Sequence, residues 1–320
     1  MEDGLYTGWT DPPIHMRENA QELIERSSIS DVAKYHALEL CRAGYTVLPK
    51  VFDSDYCGDL IGYVEAFIRN NNIAFDQYRS SNGVLPRFTN LHTLLPKLAH
   101  LFTRNPILLE IQDFLFDAPS SLYTSLYYER GSQQPFHRDT PVFATRPEYY
   151  YFGNTLYLEG ADLSNGCLDV IPGGHLVGEL DREALAKSLY GGLDDIPQLD
   201  NELWIEYQNR VVQRCHDKGL SILSVPVNAG DTIIWHPQLP HSGSRILDFS
   251  KTRHSFVFHT VPVGFAVYHQ NCFFRPSKAF PAFAHHKYGS LDGRMMMKHP
   301  QGIAFGDPVN VQFSADQLKL

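Results

Sequence analysis

The stretch from Pro119 to Val261 holds six short runs rich in aromatic and β-branched residues, and most of them follow one another without an intervening helical period. They are SLYTSLYYE (121–129), NTLYLEG (154–160), GCLDVIP (166–172), LSILSVPV (220–227), GDTIIWHP (230–237) and RHSFVFHTV (253–261). Alternation at period two puts successive side chains on opposite faces of a strand. Turn formers separate the runs: Ser164-Asn165-Gly166, Pro172-Gly173-Gly174 and Asn228-Ala229-Gly230-Asp231. Strands at such spacing build an antiparallel sandwich or barrel rather than a parallel sheet with crossover helices.

The flanks read differently. From Ile29 to about Asn72 the period is helical. Asp53 is an N-cap, followed by a stripe of Tyr56, Leu60, Val64 and Phe67. Another helix is expected from about Asn105 to Phe116. Residues 179–218 form a polar, helical insert between strands, too long for a plain hairpin loop and suited to a lid or an interface. The division expected is one domain over 1–320. An arm and flanking helices span 1–118, a mainly β core spans 119–262 with the insert at 179–218, and an extension at 263–320 packs on the core as irregular structure.

Composition narrows the function. A net charge of −9 and a pI near 5.9 disfavour a broad grip on nucleic acid or anionic lipid. No run reaches the ~20 apolar residues of a membrane span. The N-terminal MEDGLYTGWTDPP lacks the apolar stretch of a signal peptide. Five scattered cysteines without a CxxC argue against a disulfide framework or a cysteine zinc site, so a cytoplasmic location is expected. Oligomeric state is not readable.

The chemistry sits in PFHRDT. His137 and Asp139 are two apart, and on an extended chain such residues point to one side. The triplet alone recurs by chance, as a surface turn or a core histidine. Its context strengthens it: it follows the Gly131-Ser132-Gln133-Gln134 loop, and His241, in WHPQLPHSGS, comes about a hundred residues later at the end of a strand. Two imidazoles and one carboxylate on one face leave positions open for a cosubstrate and O2, as non-haem Fe(II) requires. A structural zinc site would be closed. A carboxylate-bearing cosubstrate needs a cation, and Arg253, twelve residues after His241, opens the strand RHSFVFHTV. One hairpin turn would bring it back beside the metal. Arg245 is the competitor.

The order HRD, NGCLDVIPGGH, AGDTIIWHPQLPHSGS and then an arginine resembles the phytanoyl-CoA dioxygenase family over about residues 121–262. The resemblance implies a double-stranded β-helix (a jelly roll, cupin-like) and a dioxygenase dependent on Fe(II) and 2-oxoglutarate. It maps the metal and catalytic ligands onto His137, Asp139 and His241, and the 2-oxoglutarate carboxylate onto Arg253. Thr155 and Tyr127 are further cosubstrate candidates, and Gly174 stands where the family usually has Ser. The implied reaction hydroxylates an unactivated C–H of a small molecule or polar moiety (a natural-product intermediate, a sugar or an acyl group), releasing succinate and CO2, with ascorbate as reductant in vitro. Desaturation and cyclisation are equally open. The carboxylate of Asp139 argues against a halogenase. The alternatives are a cupin-like zinc or other metal enzyme that does not use O2, and a non-catalytic jelly-roll carbohydrate-binding module.

Arg87 and Asn90 in LPRFTNLH, and Arg146 after HRD, are candidates for a substrate mouth. His236, His254 and His259 read as structural, and His285-His286 as a surface pair. No GxGxxG, P-loop or GxSxG is present.

Overall fold

Local signals set the helices. The computed structural model describes residues 11–81, 83–197, 201–268, 270–279, 287–298, 303–305, 311–313 and 317–319. A short helix α1 (Ala20–Arg26) leads to α2 (Asp31–Ala43), whose N-cap Ser30 accepts a hydrogen bond from Ala33 N–H. Helix α2 stops at Gly44, in the left-handed region at φ 84°. Asp53 accepts from Tyr56 N–H at 2.7 Å and opens α3 (Ser54–Asn70), which buries Leu60, Val64 and Phe67. After two single turns, α4 (Asn72–Phe75) and α5 (His100–Thr103), Asn105 caps α6 (Pro106–Phe116), with proline at its first position. The helical reading of 29–72 needs one correction. Tyr45–Leu48 is a strand, β1. The left-handed Gly44 ends the helix, and YTVL alternates at period two.

Fourteen further strands follow among the described residues: β2 (Phe88–Thr89), β3 (Ser120–Tyr128), β4 (Ala144–Thr145), β5 (Phe152–Tyr157), β6 (Leu168–Val170), β7 (Leu223–Val225), β8 (Thr232–Trp235), β9 (His241–Gly243), β10 (Ser255–Pro262), β11 (Val267–Tyr268), β12 (Tyr288–Leu291), β13 (Arg294–Met297), β14 (Ile303–Phe305) and β15 (Val311–Phe313). The larger sheet runs β1-β8-β5-β10-β3-β2-β14-β15, with the β12–β13 hairpin attached to β3. The smaller sheet is β7-β6-β9, and β4 pairs with β11. The described part of the tail is therefore not all irregular. It supplies a hairpin and two strands that extend the large sheet, where short segments find partners only after the sheet exists.

The large sheet has two working faces. Phe256 and Phe258 of β10, Leu156 of β5 and Ile234 of β8 pack outward on α2, α3 and α6 in the main core. Residues of opposite parity, including Tyr157, Ile233 and Trp235, face the small sheet and meet Leu168, Val170 and Val225. The result is a jelly-roll β core with α2, α3 and α6 on one side, and the candidate site sits between the two sheets.

The 179–218 insert is helical, as its polarity and period suggest. Helices α7 (Arg182–Tyr190) and α8 (Glu202–Asp217) bury Leu185, Leu203, Tyr207 and Val211 against Phe273 of the short helix α9 (Gln270–Phe273) and Phe274 after it. Among the described residues no helix is long and apolar enough to cross a membrane.

Candidate metal centre

A two-way backbone bridge joins distant parts of the chain. His137 N–H donates to His241 C=O at 2.9 Å, and His241 N–H donates back at 3.0 Å. The paired residues bring their rings to 4.4 Å between centroids. Asp139 sits in the following turn, where its carbonyl accepts from Val142 and Phe143 N–H. The HxD triplet is thus not on a regular strand. Its convergence comes from the bridge to His241 and the turn after it. Nitrogen or oxygen atoms of His137, Asp139 and His241 lie within 4.8 Å of one another, and all three residues are buried. Among the described residues no other trio of His, Cys, Asp or Glu converges this way.

Both imidazoles are aimed. His137 Nδ1 donates to Pro135 C=O at 2.8 Å and His241 Nδ1 to Leu239 C=O at 3.0 Å, which assigns their protons to Nδ1. Their Nε2 atoms face Asp139, at 3.4 Å from Oδ1 and 3.7 Å from Oδ2 respectively. Burial lowers the His241 pKa to about 4, against the opposing pull of Asp139, so the ring is neutral at pH 7. Burial alone would raise Asp139, but His241 and hydrogen bonds from His137 and His259 hold it well below the usual carboxylate range. A neutral His241 and an ionised Asp139 are protonation states a divalent metal needs.

A second ring of donors fixes the carboxylate. Trp235 Nε1–H donates to Asp139 Oδ2 at 2.9 Å, and His259 Nε2 lies 3.4 Å from the same oxygen. His259 stacks on Phe143 at 4.1 Å, and its Nδ1 is buried without a hydrogen-bond partner. The sequence reading of His259 as merely structural is corrected here. The signal lay in parity: 253, 255, 257 and 259 share one face of a strand. His254, on the other face, meets Tyr127.

A cavity of about 70 Å³ runs from the triad to Arg253, with Thr155, Tyr157, Ser242 and Val257 in its walls. Arg253 is buried. It donates to Gly166 C=O at 2.7 Å and Ser255 Oγ at 3.1 Å, lies over the Tyr157 ring, and keeps Nε without a partner. The structure brings together His137, Asp139, His241, Arg253 and Thr155. It does not bring Tyr127, whose hydroxyl binds His254 Nδ1 at 2.7 Å in the main core while its neighbours Leu126 and Tyr128 line the cavity. Period-two alternation turns it away. The route to Arg253 also differs from a hairpin. Strand β9 is in the small sheet and β10 in the large one, so the chain crosses between sheets and Arg253 arrives on the facing wall. Arg245 is exposed.

A second cavity of about 680 Å³ opens on His137 and Asp139. Arg87, Asn90, Leu126, Phe143, Trp204 and Ile205 are among its walls. Two of the three predicted mouth residues, Arg87 and Asn90, thus line it. Asn90 Oδ1 is engaged by Thr124 Oγ1 and Ser125 N–H. Arg146 lies elsewhere, bound to Glu148 at 2.5 Å and to Cys272 C=O. Its pairing with a carboxylate shared with Arg182 was not readable locally. Helix α8 supplies Trp204, 6.0 Å from the His137 ring. His236 lies beyond β8, between the rings of His15 and His175, rather than on an alternating strand. His285-His286 lie outside the described residues. Gly174 also has a local reason: a Cβ there would stand 2.8 Å from Pro240 Cδ.

The donor set fits a ferrous ion. Two oriented nitrogens and one carboxylate oxygen come from one side, no thiolate is among the three, and the other side opens on the two cavities. The model of the phytanoyl-CoA dioxygenase (PhyH) family matches residues 40–248. The peroxisomal phytanoyl-CoA dioxygenase of Bos taurus is 29% identical over 117 residues, 37% of this chain and 30% of that protein, so the match spans under a third of the relative's length. Among solved structures, the non-heme α-ketoglutarate-dependent epimerase SnoN from nogalamycin biosynthesis shares the fold with a TM-score of 0.56 at 16% identity, covering 83% of this chain and 97% of its own. EctD from S. alaskensis does so with a TM-score of 0.57 at 16% identity, covering 90% and 92%. SnoN has been crystallised with Fe3+ and α-ketoglutarate, and EctD with bound Fe and with 2-oxoglutarate.

Proposed function

Because the chain belongs to the phytanoyl-CoA dioxygenase family, we propose that it is an Fe(II)- and 2-oxoglutarate-dependent oxygenase that hydroxylates an unactivated C–H of a small molecule. One observation carries the reading: three buried ligand atoms from distant stretches of chain converge beside a cavity that ends in a buried arginine. His137, Asp139 and His241 would hold the metal. Ferrous iron with 2-oxoglutarate supplies O2 activation coupled to decarboxylation, with succinate and CO2 as products.

The protein's part is placement and dryness. Arg253 offers a desolvated guanidinium to the far carboxylate of the cosubstrate, and Thr155 adds a hydroxyl on the same wall. Trp235 and His259 occupy Asp139 Oδ2, which keeps the carboxylate from turning. Phe143 and Trp204 wall the reacting centre from water and would hold the apolar body of the substrate, while Arg87 and Asn90 meet its polar groups. A cavity of this size suits a molecule of about drug size rather than a polymer.

The test is succinate formation with Fe(II), ascorbate and 2-oxoglutarate, alongside the anaerobic absorbance of the Fe(II)–2-oxoglutarate complex. Wild type should show both, and His137→Ala, Asp139→Ala and His241→Ala should show neither. Wild type that binds Fe(II) without consuming 2-oxoglutarate would favour the metal enzyme that does not use O2.

A further inference from the structure

Arg138, the residue between the two ligands of the HxD triplet, has no solvent exposure, and helix α8 of the insert holds it at both ends. Gln208 reads its backbone. The amide oxygen accepts Arg138 N–H at 2.8 Å, and the amide nitrogen donates to Arg138 C=O at 2.9 Å. Both bonds are buried, and Gln208 itself is 2% exposed. One turn position before it, Tyr207 Oη lies 3.4 Å from Arg138 Nη1, while Arg138 Nη2 donates to Gly174 C=O at 2.9 Å. Tyr207 Oη also donates to Glu179 at the start of the insert.

The N–H and C=O of residue 138 belong to the two peptide planes that lead to His137 and Asp139. Holding both planes sets the angle between the two ligands' Cα–Cβ bonds. Strand pairing does not do this work, because the triplet is outside any regular strand and only His137 has a ladder partner. We propose that Gln208 is a positioning residue for the metal-ligand pair, and that α8 thereby joins the substrate wall to the metal. The same helix places Trp204 beside the His137 ring, one turn from Gln208. The proposal rests on the metal-centre reading above. Buried hydrogen bonds of this type are costly to leave unmade, and loss of contacts behind a ligand typically weakens metal affinity by about 10–100-fold.

The experiment measures Co(II) binding by its visible d–d bands, with no substrate needed, in wild type, Gln208→Met, Gln213→Met and His137→Ala. Methionine conserves length and volume but makes neither hydrogen bond. Gln213 lies on the exposed face of α8, bonded to Asp217, and controls for the helix itself. Gln208→Met should bind Co(II) at least about tenfold more weakly, with shifted bands, while Gln213→Met keeps the wild-type constant. Equal affinity and equal bands in Gln208→Met overturn the proposal, as does an equal loss in Gln213→Met. If Gln208→Met melts below the assay temperature, the contact serves folding and the proposal also falls. Wild type that fails to bind, or His137→Ala that binds like wild type, instead removes the metal-centre reading.

Discussion

Trp235 reaches Asp139 because Gly153 has no side chain. The indole donates to Asp139 Oδ2 at 2.9 Å, and a Cβ on Gly153 would stand 2.0 Å from its Cε2. Strand β5 thus gives up a side chain so that β8 can orient a ligand on neither strand.

Gly153→Ala should therefore act at the metal as well as on packing. Overpacking a filled site costs about 1–3 kcal/mol, and a displaced indole leaves Asp139 Oδ2 to His259 alone. Urea unfolding should show the first effect and Fe(II) titration the second. Trp235→Phe should weaken Fe(II) by about tenfold. If Gly153→Ala destabilised the fold with Fe(II) affinity intact, the indole would be only packing.

Arg253→Ala should raise the KM for 2-oxoglutarate by about thirtyfold or more. Truncating one side of a buried charge pair costs about 2–5 kcal/mol, and Arg253 is buried with Nε waiting for a partner. Fe(II) affinity without cosubstrate should hardly change. Arg245→Ala, at an exposed position, should leave the KM as it is. Opposite behaviour of the two variants would reassign the carboxylate site.

Trp204→Ala should change substrate preference rather than cosubstrate use. The indole walls the large cavity and does not border the small one. Loss of such an aromatic contact is worth at least about 1 kcal/mol. Capture of an apolar fluorescent probe such as N-phenyl-1-naphthylamine should weaken correspondingly, with the KM for 2-oxoglutarate within about twofold. A large rise in that KM would instead place the indole at the cosubstrate.

Acid should destabilise the fold before any carboxylate titrates. Burial, with a smaller push from His175, lowers His15 to about 3, and burial lowers His175 to about 4, both from 6.5. Below pH 6.5 the unfolded chain binds protons that the folded chain refuses. Stability present above 6.5 is thus lost as pH falls towards about 4 and then about 3, by up to about 1.4 kcal/mol per pH unit for each group. Urea midpoints from pH 7 to 4.5 should fall steadily in the apoprotein, and His175→Phe should flatten the slope. A flat wild-type profile would mean that these rings are not buried.

Where a signal is local, the sequence already contains it. Asp53 and Asn105 start their helices because capping needs only the next three residues. The six runs after Pro119 all contain strands because alternation with turn formers needs no partner to be read. The HRD triplet, His241 and Arg253 stand out because metal and carboxylate chemistry demand those residue types. Tertiary structure decided the rest. Which face of β3 turns inward depends on its pairing with β10, more than a hundred residues away, and this sends Tyr127 into the core and leaves Leu126 and Tyr128 at the cavity. His259 became a partner of Asp139 through the register of β10, and Gln208 met Arg138 because α7 and α8 fold back over the triplet. Periodicity specifies a face, but only long-range pairing, at its cost in chain entropy, determines what that face meets.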